Sequence, residues 1–181
     1  STNDSLKKST GRMEYESTYA LGPLLGISDP NTVIRASHLC DDLGIDTIST
    51  GVTIAWAMEC FEKGILTRKD TSGIELKFGN TEAILPILYM ISNREGIGDL
   101  LADGCLRAAK AVGSNSEDWA MQVKGLEMPG YEPRSLKTMA LGLAVSTRGA
   151  CHNRSSAYEA DFSALVDRLS VDEVKGQITK Q

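Results

Sequence analysis

The segment Leu39-Cys40-Asp41-Asp42-Leu43-Gly44-Ile45-Asp46-Thr47-Ile48-Ser49-Thr50-Gly51 constrains this chain more than any other. It sets acids, small residues and two glycines between two stretches of helical periodicity, so the chain must turn there while presenting charge. Asp29-Pro30 starts the first helix: Asp accepts from free N–H groups and Pro fits the first turn. Val33, Ile34, Ser37, His38 and Asp41 lie on adjoining faces of it, and Gly44 can end it in a left-handed cap. The spacing predicts a second helix from near Ser49 or Thr50 through Ile54, Trp56, Ala57, Met58 and Phe61 to Gly64.

Helical pattern begins at Glu14. Asp70-Thr71-Ser72-Gly73 marks a turn, and Ile74 to Phe78 reads as a short alternating segment. Asn80-Thr81-Glu82 opens a third helix that stops near Gly96, with Pro86 expected to bend or shorten it. A fourth helix is predicted from Asp99 to Val112, and Ser116 is expected to cap a short fifth ending before Val123. Met128-Pro129-Gly130-Tyr131-Glu132-Pro133-Arg134 is a loop and the best internal boundary. Ser135 is expected to cap a small-residue helix through Met139 and Leu143, and 158–181 reads as an amphipathic helix. Strand signals are few, so the predicted class is mainly α and multihelical. The expected organisation is a polar lead-in over 1–12, a helical domain over 13–128, and the truncated start of a further helical domain over 129–181.

With 181 residues, 41% of them hydrophobic, the chain can bury a substantial core. A net charge of -5 and the lack of a Lys/Arg stripe argue against a nucleic-acid partner. No apolar run approaches the roughly 20 residues that span a bilayer, and no signal-peptide pattern opens the chain. A cytoplasmic protein without a membrane partner is expected. Cys40, Cys60, Cys105 and Cys151 never form a C-x-x-C pair, so they complete no zinc, ferredoxin or thioredoxin motif. They read as buried thiols in a reducing compartment.

Three places suggest walls of a polar pocket. The turn D-x-x-G-I-D-T puts Asp41 on a last helical turn and Asp46 just past it, so both carboxylates could accept N–H bonds from an amino-substituted heterocycle. Thr47, Ser49, Thr50 and nearby backbone N–H groups could receive anionic oxygens such as phosphate. An ordinary helix-turn-helix connection with capping acids would look the same. Glu16, in Glu14-Tyr15-Glu16, is a candidate general base or acid, or a solvated acid at a helix start. His152, in Arg148-Gly149-Ala150-Cys151-His152, is a better acid/base candidate than His38, which reads as a packing residue; a surface-loop histidine is the alternative. Arg148 and Arg154 could bind phosphate or carboxylate in a bidentate manner. Lys124-Gly125-Leu126-Glu127 reads equally well as structure and carries no assigned chemistry.

These segments, in this order, resemble the tungsten-dependent aldehyde ferredoxin oxidoreductase family from about Glu14 to the end. The resemblance implies a larger chain that holds a tungsten bis-pterin (tungstopterin) beside a [4Fe–4S] cluster. It places this chain in the family's two helical domains, apart from an N-terminal β domain. Asp41, Gly44, Ile45, Asp46 and Thr47 then match the D-x-x-G-L-D pterin motif and its next residue, with Ile45 in place of Leu. Glu16 matches a glutamate proposed to act on substrate or water, and His152 a histidine proposed to donate near the metal. Arg148 and Arg154 fall where the family has basic cofactor contacts, Arg154 at a position where Lys is also used.

The resemblance also implies what the segment lacks. The cluster motif C-x-x-C-x-x-x-C would lie before Ser1, and a second pterin motif, D-x-x-G-x-C, after Gln181. The segment alone is therefore expected to bind no cofactor and to be inactive, and its cysteines are not cluster ligands. Its partners would be the β domain and the C-terminal remainder, an aldehyde substrate, and ferredoxin or a similar acceptor. Exposed apolar area would favour self-association into a homo-oligomer. The implied reaction is oxidation of aldehydes to carboxylic acids. Alternatives are the tungsten subunit of an aryl-thioester (benzoyl-coenzyme A type) reductase, or a non-catalytic helical binding domain.

Overall fold

The computed structural model describes residues 13–154 and 158–161, and these are mainly helical, as the sequence predicts. The expected lead-in over 1–12 and most of the helix expected over 158–181 lie outside the described residues; 158–161 are helical. The chain forms two compact units that divide between Gly130 and Tyr131.

Helices α1 (Tyr15–Leu21), α2 (Pro30–Leu43), α3 (Thr47–Glu62), α4 (Thr81–Asn93), α5 (Ile97–Leu101) and α6 (Cys105–Val112) build the first unit. A short hairpin, β1 (Gln122–Val123) with β2 (Leu126–Glu127), follows them. α3 is the axis of this unit. It carries no charge before Glu59 and buries Val52, Thr53, Ile54, Trp56, Ala57, Met58 and Cys60 on several faces. A helix apolar on all sides must be surrounded; α1, α5, α6 and β2 pack on it, while α4 packs on α2 and α5. Burying a side chain such as Ile54 or Met58 contributes about 1.5–3 kcal/mol, so α3 anchors the unit.

Local chemistry sets the ends of α2. Asp29 accepts from the Asn31 and Thr32 N–H groups, and Pro30 occupies the first turn. At the other end Gly44 is left-handed (φ 68) and the Ile45 N–H returns to Cys40 O at 3.0 Å, the paired closure that glycine permits. His38 is exposed on α2 and is not the packing residue expected there.

Other expectations need correction. α3 starts at Thr47, ahead of Ser49, because the Asp46 carboxylate accepts from the Ser49 N–H at 2.7 Å and caps it. Residues 74–78 form no strand, since among the described residues no neighbouring strand pairs with them; only Leu76 is buried. α4 runs through Pro86 to Asn93 without shortening, because Pro86 is exposed and water can satisfy the freed carbonyl. The predicted fourth helix is two helices, broken at left-handed Gly104 (φ 85). Its second half starts where Glu127 Oε1 accepts from the Cys105 N–H at 2.8 Å. The predicted fifth helix is one 3-10 turn, Ser116–Trp119, before the hairpin, whose Lys124-Gly125 turn has φ 56 and 82.

The second unit contains α7 (Lys137–Val145) and a 3-10 turn, His152–Arg154. Ser135 does not cap α7; its hydroxyl donates to Glu132 O. Asp161 does so from a distance, accepting from the Thr138 N–H at 3.0 Å and the Met139 N–H at 2.8 Å. Met139 and Leu143 face inward on α7, while Leu141 and Val145 are exposed.

Candidate functional site

Glu16 sits in the first turn of α1 and is buried, with 8% of its surface exposed. Its Oε2 accepts from the Gly130 N–H at 2.8 Å, whereas its buried Oε1 has no hydrogen-bond partner among the described residues. A buried acceptor without a donor costs about 1–3 kcal/mol, and such a group calls for a reason beyond folding. A solvated helix-start acid would have neither the burial nor the vacancy.

Glu16 is tied to the acid-glycine-acid turn through α1 and α3. The Ser17 and Thr47 hydroxyls share a hydrogen bond of 2.9 Å. One turn further along α3, Gly51 brings the two backbones together: a Cβ there would lie 2.3 Å from Ala20 O. The residue after Glu16 and the residue after Asp46 therefore touch.

Around the turn, Asp41, Gly44 and Asp46 are exposed, and Ile45 and Thr47 are half-buried. Both acids act on Cys40: burial first, then the charges of Asp41 and Asp46, push its thiol from its ordinary 9.0 up to about 12. The two carboxylates thus share one neighbourhood. The Asp41 carboxylate makes no hydrogen bond to another described residue, and Asp46 uses one oxygen as the cap, leaving the other open. Nothing lies within 4 Å of the place a Cβ on Gly44 would occupy, so the turn is open to an approaching flat molecule. The Asp46 cap occupies the end of α3 where the sequence suggested an anion, and it takes the Ser49 N–H.

Behind the turn lies a cavity of about 370 Å³, lined in part by Ile45, Asp46, Ser49, Thr50 and Thr53 of this segment and by Ser92 and Arg94 from the end of α4. Arg94 is held by Asp99 at 2.9 Å and by Asp103 at 2.8 Å, so its charge is already balanced.

The second unit holds the other candidates. His152 is half-buried and stacks on Tyr131, ring centres 5.9 Å apart; Tyr131 also stacks on Tyr158 at 5.4 Å. Arg148 donates to the sulfur of buried Cys151 at 3.6 Å. Arg148 and Arg154 are exposed, and neither pairs with an acid among the described residues, so both can take an anion.

The cysteines are four free, buried thiols. Burial dominates the rise of Cys60 to about 11 and of Cys105 to about 12, which keeps them protonated and poor as ligands. Among the described residues no group of three or more His, Cys, Asp or Glu converges as a metal site. No helix among them is long and apolar enough to cross a membrane.

Sequence reasoning missed two site residues, Ser17 and Gly130. Ser17 carried no signal apart from its neighbour Glu16. Gly130 was visible only as a loop glycine, because its partner lies 114 residues away.

The chain matches the family described as aldehyde ferredoxin oxidoreductase, domains 2 and 3, over residues 1–181. It is 46% identical over 140 residues to the tungsten-containing aldehyde ferredoxin oxidoreductase of Pyrococcus furiosus, covering 77% of this chain and 23% of that protein. It is 36% identical over 153 residues to the aliphatic sulfonate oxidoreductase, WOR-like subunit, of the same organism, covering 81% of this chain and 24% of that one. Among solved structures it resembles the active site complex BamBC of benzoyl coenzyme A reductase bound to 1,5-dienoyl-CoA, with a TM-score of 0.61 and 29% identity. That match covers 74% of this chain and 21% of the other. The chain belongs to the aldehyde ferredoxin oxidoreductase family, within its helical domains 2 and 3. It spans about a quarter of the length of the curated relatives it matches.

Proposed function

We propose that this chain is part of a tungsten-pterin oxidoreductase that converts aldehydes to carboxylic acids, and that it supplies a proton acceptor and one pterin-binding edge. The observation that carries the residue-level reading is Glu16, a buried carboxylate with one oxygen engaged by Gly130 and the other unpaired among the described residues. The 46% identity to a tungsten-containing aldehyde ferredoxin oxidoreductase supports the reaction class.

The residues of the turn fit a pterin. Its amino-pyrimidine edge offers N–H donors, and Asp41 and the open oxygen of Asp46 are acceptors on an uncovered turn. Asp41, Gly44, Ile45, Asp46 and Thr47 would hold that edge, and Arg148 and Arg154 would hold anionic oxygens of the cofactor. When bound, the tungsten-pterin group supplies the two-electron acceptor. The overall change is aldehyde plus water to carboxylic acid, two electrons and two protons. Glu16 Oε1 takes a proton from the water or the substrate, and His152 donates a hydrogen bond to the oxygen that gains charge. The described cysteines do not fit a [4Fe–4S] ligand set, being buried singly. In this reading the electrons leave through other parts of the protein to ferredoxin or a similar acceptor, and the segment alone is inactive.

The deciding assay offers the full-length protein an aldehyde with an oxidised viologen dye, and separately an aryl thioester with a reduced one. Aldehyde-dependent dye reduction is expected. Thioester reduction without aldehyde oxidation would replace this reading with a second one, which the benzoyl coenzyme A reductase likeness favours.

Asp41 separates cofactor binding from folding. Because its side chain bonds to no described residue, Asp41→Asn is expected to change stability by no more than about 0.5 kcal/mol. Tungsten content per chain should nevertheless fall several-fold in the full-length protein. Asp46→Ala does not separate the two effects, since it also removes a cap worth on the order of 1 kcal/mol. Unchanged tungsten in Asp41→Asn removes that residue from the cofactor site.

A further inference from the structure

We infer that Gly130 is a positioning residue for Glu16, which rests on the reading of Glu16 as the proton acceptor. Its N–H donates to Glu16 Oε2 at 2.8 Å, and its carbonyl accepts from the Tyr15 hydroxyl at 2.9 Å. One glycine thus bonds to two consecutive residues of α1. The loop reaches that point from a fixed anchor: Pro129 is buried, and the Met128 N–H donates to Met121 O at 3.0 Å, continuing the hairpin.

Space argues for glycine here. Gly130 is not among the residues with a left-handed φ. A Cβ there would lie 2.7 Å from Tyr19 Cδ1 and 2.9 Å from its Cγ. Those atoms are at the root of the ring and cannot swing aside as a flexible tip could. Tyr19 is also backed by Tyr15, with ring centres 6.4 Å apart. Any side chain at 130 must therefore push the loop off α1 and withdraw the N–H from Glu16.

The chemical consequence follows from which oxygen is engaged. A carboxylate can turn about its last bond and present either oxygen. The Gly130 N–H stops that rotation by holding Oε2, so Oε1 is the oxygen left to accept a proton. Losing the N–H leaves the carboxylate in place with its orientation unset. Misplacement of a reacting group by about 1 Å can cost on the order of 100-fold in rate.

The test is a double-mutant cycle in the full-length, tungsten-loaded enzyme: wild type, Gly130→Ala, Glu16→Gln and the pair. Gly130→Ala is expected to lower kcat by about 10- to 100-fold, with KM for the aldehyde and tungsten content unchanged. In the Glu16→Gln background it should cost nothing more, because the orientation it protects no longer matters. Losses that multiply would overturn the positioning role while leaving Glu16 in the mechanism. Wild-type kcat in Glu16→Gln would instead remove Glu16, and the inference with it. If Gly130→Ala does not accumulate as loaded enzyme, Tyr15→Phe takes its place in the cycle. That change frees the Gly130 carbonyl without adding bulk, and a several-fold loss of kcat that vanishes beside Glu16→Gln is expected. No loss, or a multiplying one, overturns the inference.

Discussion

Replacing Glu16 with Gln is expected to lower kcat by about 10²- to 10⁴-fold, the range typical of a lost general acid or base. The substitution nearly preserves shape. Its amide oxygen can still accept from the Gly130 N–H, as Oε2 does at 2.8 Å, and so the loop stays on α1. The amide nitrogen then takes the position of the unpaired Oε1, which lies buried without a partner. It carries two N–H donors and no basic lone pair, so no proton can be delivered to it. Folding should change little, because one buried polar atom without a partner takes the place of another. Tungsten content and the denaturant midpoint should therefore match wild type while turnover collapses. Loss of turnover together with loss of tungsten would point to a role in holding the fold or the cofactor. Unchanged turnover would take Glu16 out of the mechanism.

What the sequence shows plainly is whatever its own neighbours decide. α2 could be read from end to end because Asp29-Pro30 opens it and Gly44 closes it within the segment itself. α3 could be read as a helix because Ile54, Trp56, Ala57, Met58 and Phe61 run unbroken to Gly64. Two of the errors lie where a distant group decides. Apolar periodicity runs across Gly104, yet the helix breaks there because Glu127, 22 residues beyond Cys105, caps the new start. The start of α7 depends on Asp161, 23 residues beyond Thr138, and the nearby Ser135 is used elsewhere. The site divides in the same way. Asp41, Gly44 and Asp46 stand out in the sequence because one turn holds them. Glu16 could be named as a candidate, but its burial and its half-satisfied carboxylate come from a loop 114 residues away. No local pattern could have supplied either.

The largest stability effect is expected at Gly51, where α1 and α3 meet backbone to backbone. A Cβ at that position would stand 2.3 Å from Ala20 O, 2.7 Å from Ala20 C and 2.8 Å from Ala20 Cβ. None of these is the end of a flexible side chain, so Gly51→Ala can be accommodated only by moving one helix off the other. Overpacking of this kind costs about 3 kcal/mol and occasionally more. Gly44→Ala provides the comparison. It meets no atom within 4 Å and suffers only from its left-handed φ of 68, a penalty of roughly 1–2 kcal/mol. Trp56 is buried on α3, so the urea midpoint followed by tryptophan fluorescence should fall further for Gly51→Ala than for Gly44→Ala. Function should follow the same order in one respect. Shifting α1 also strains the bond between Ser17 and Thr47, which couples Glu16 to the turn at Asp46. Where the Gly51 variant still folds, its kcat should fall, whereas any loss in Gly44→Ala should follow its cofactor content. Equal midpoints for the two variants would mean that α1 and α3 are not in backbone contact, and the coupling between base and turn would lose its structural support.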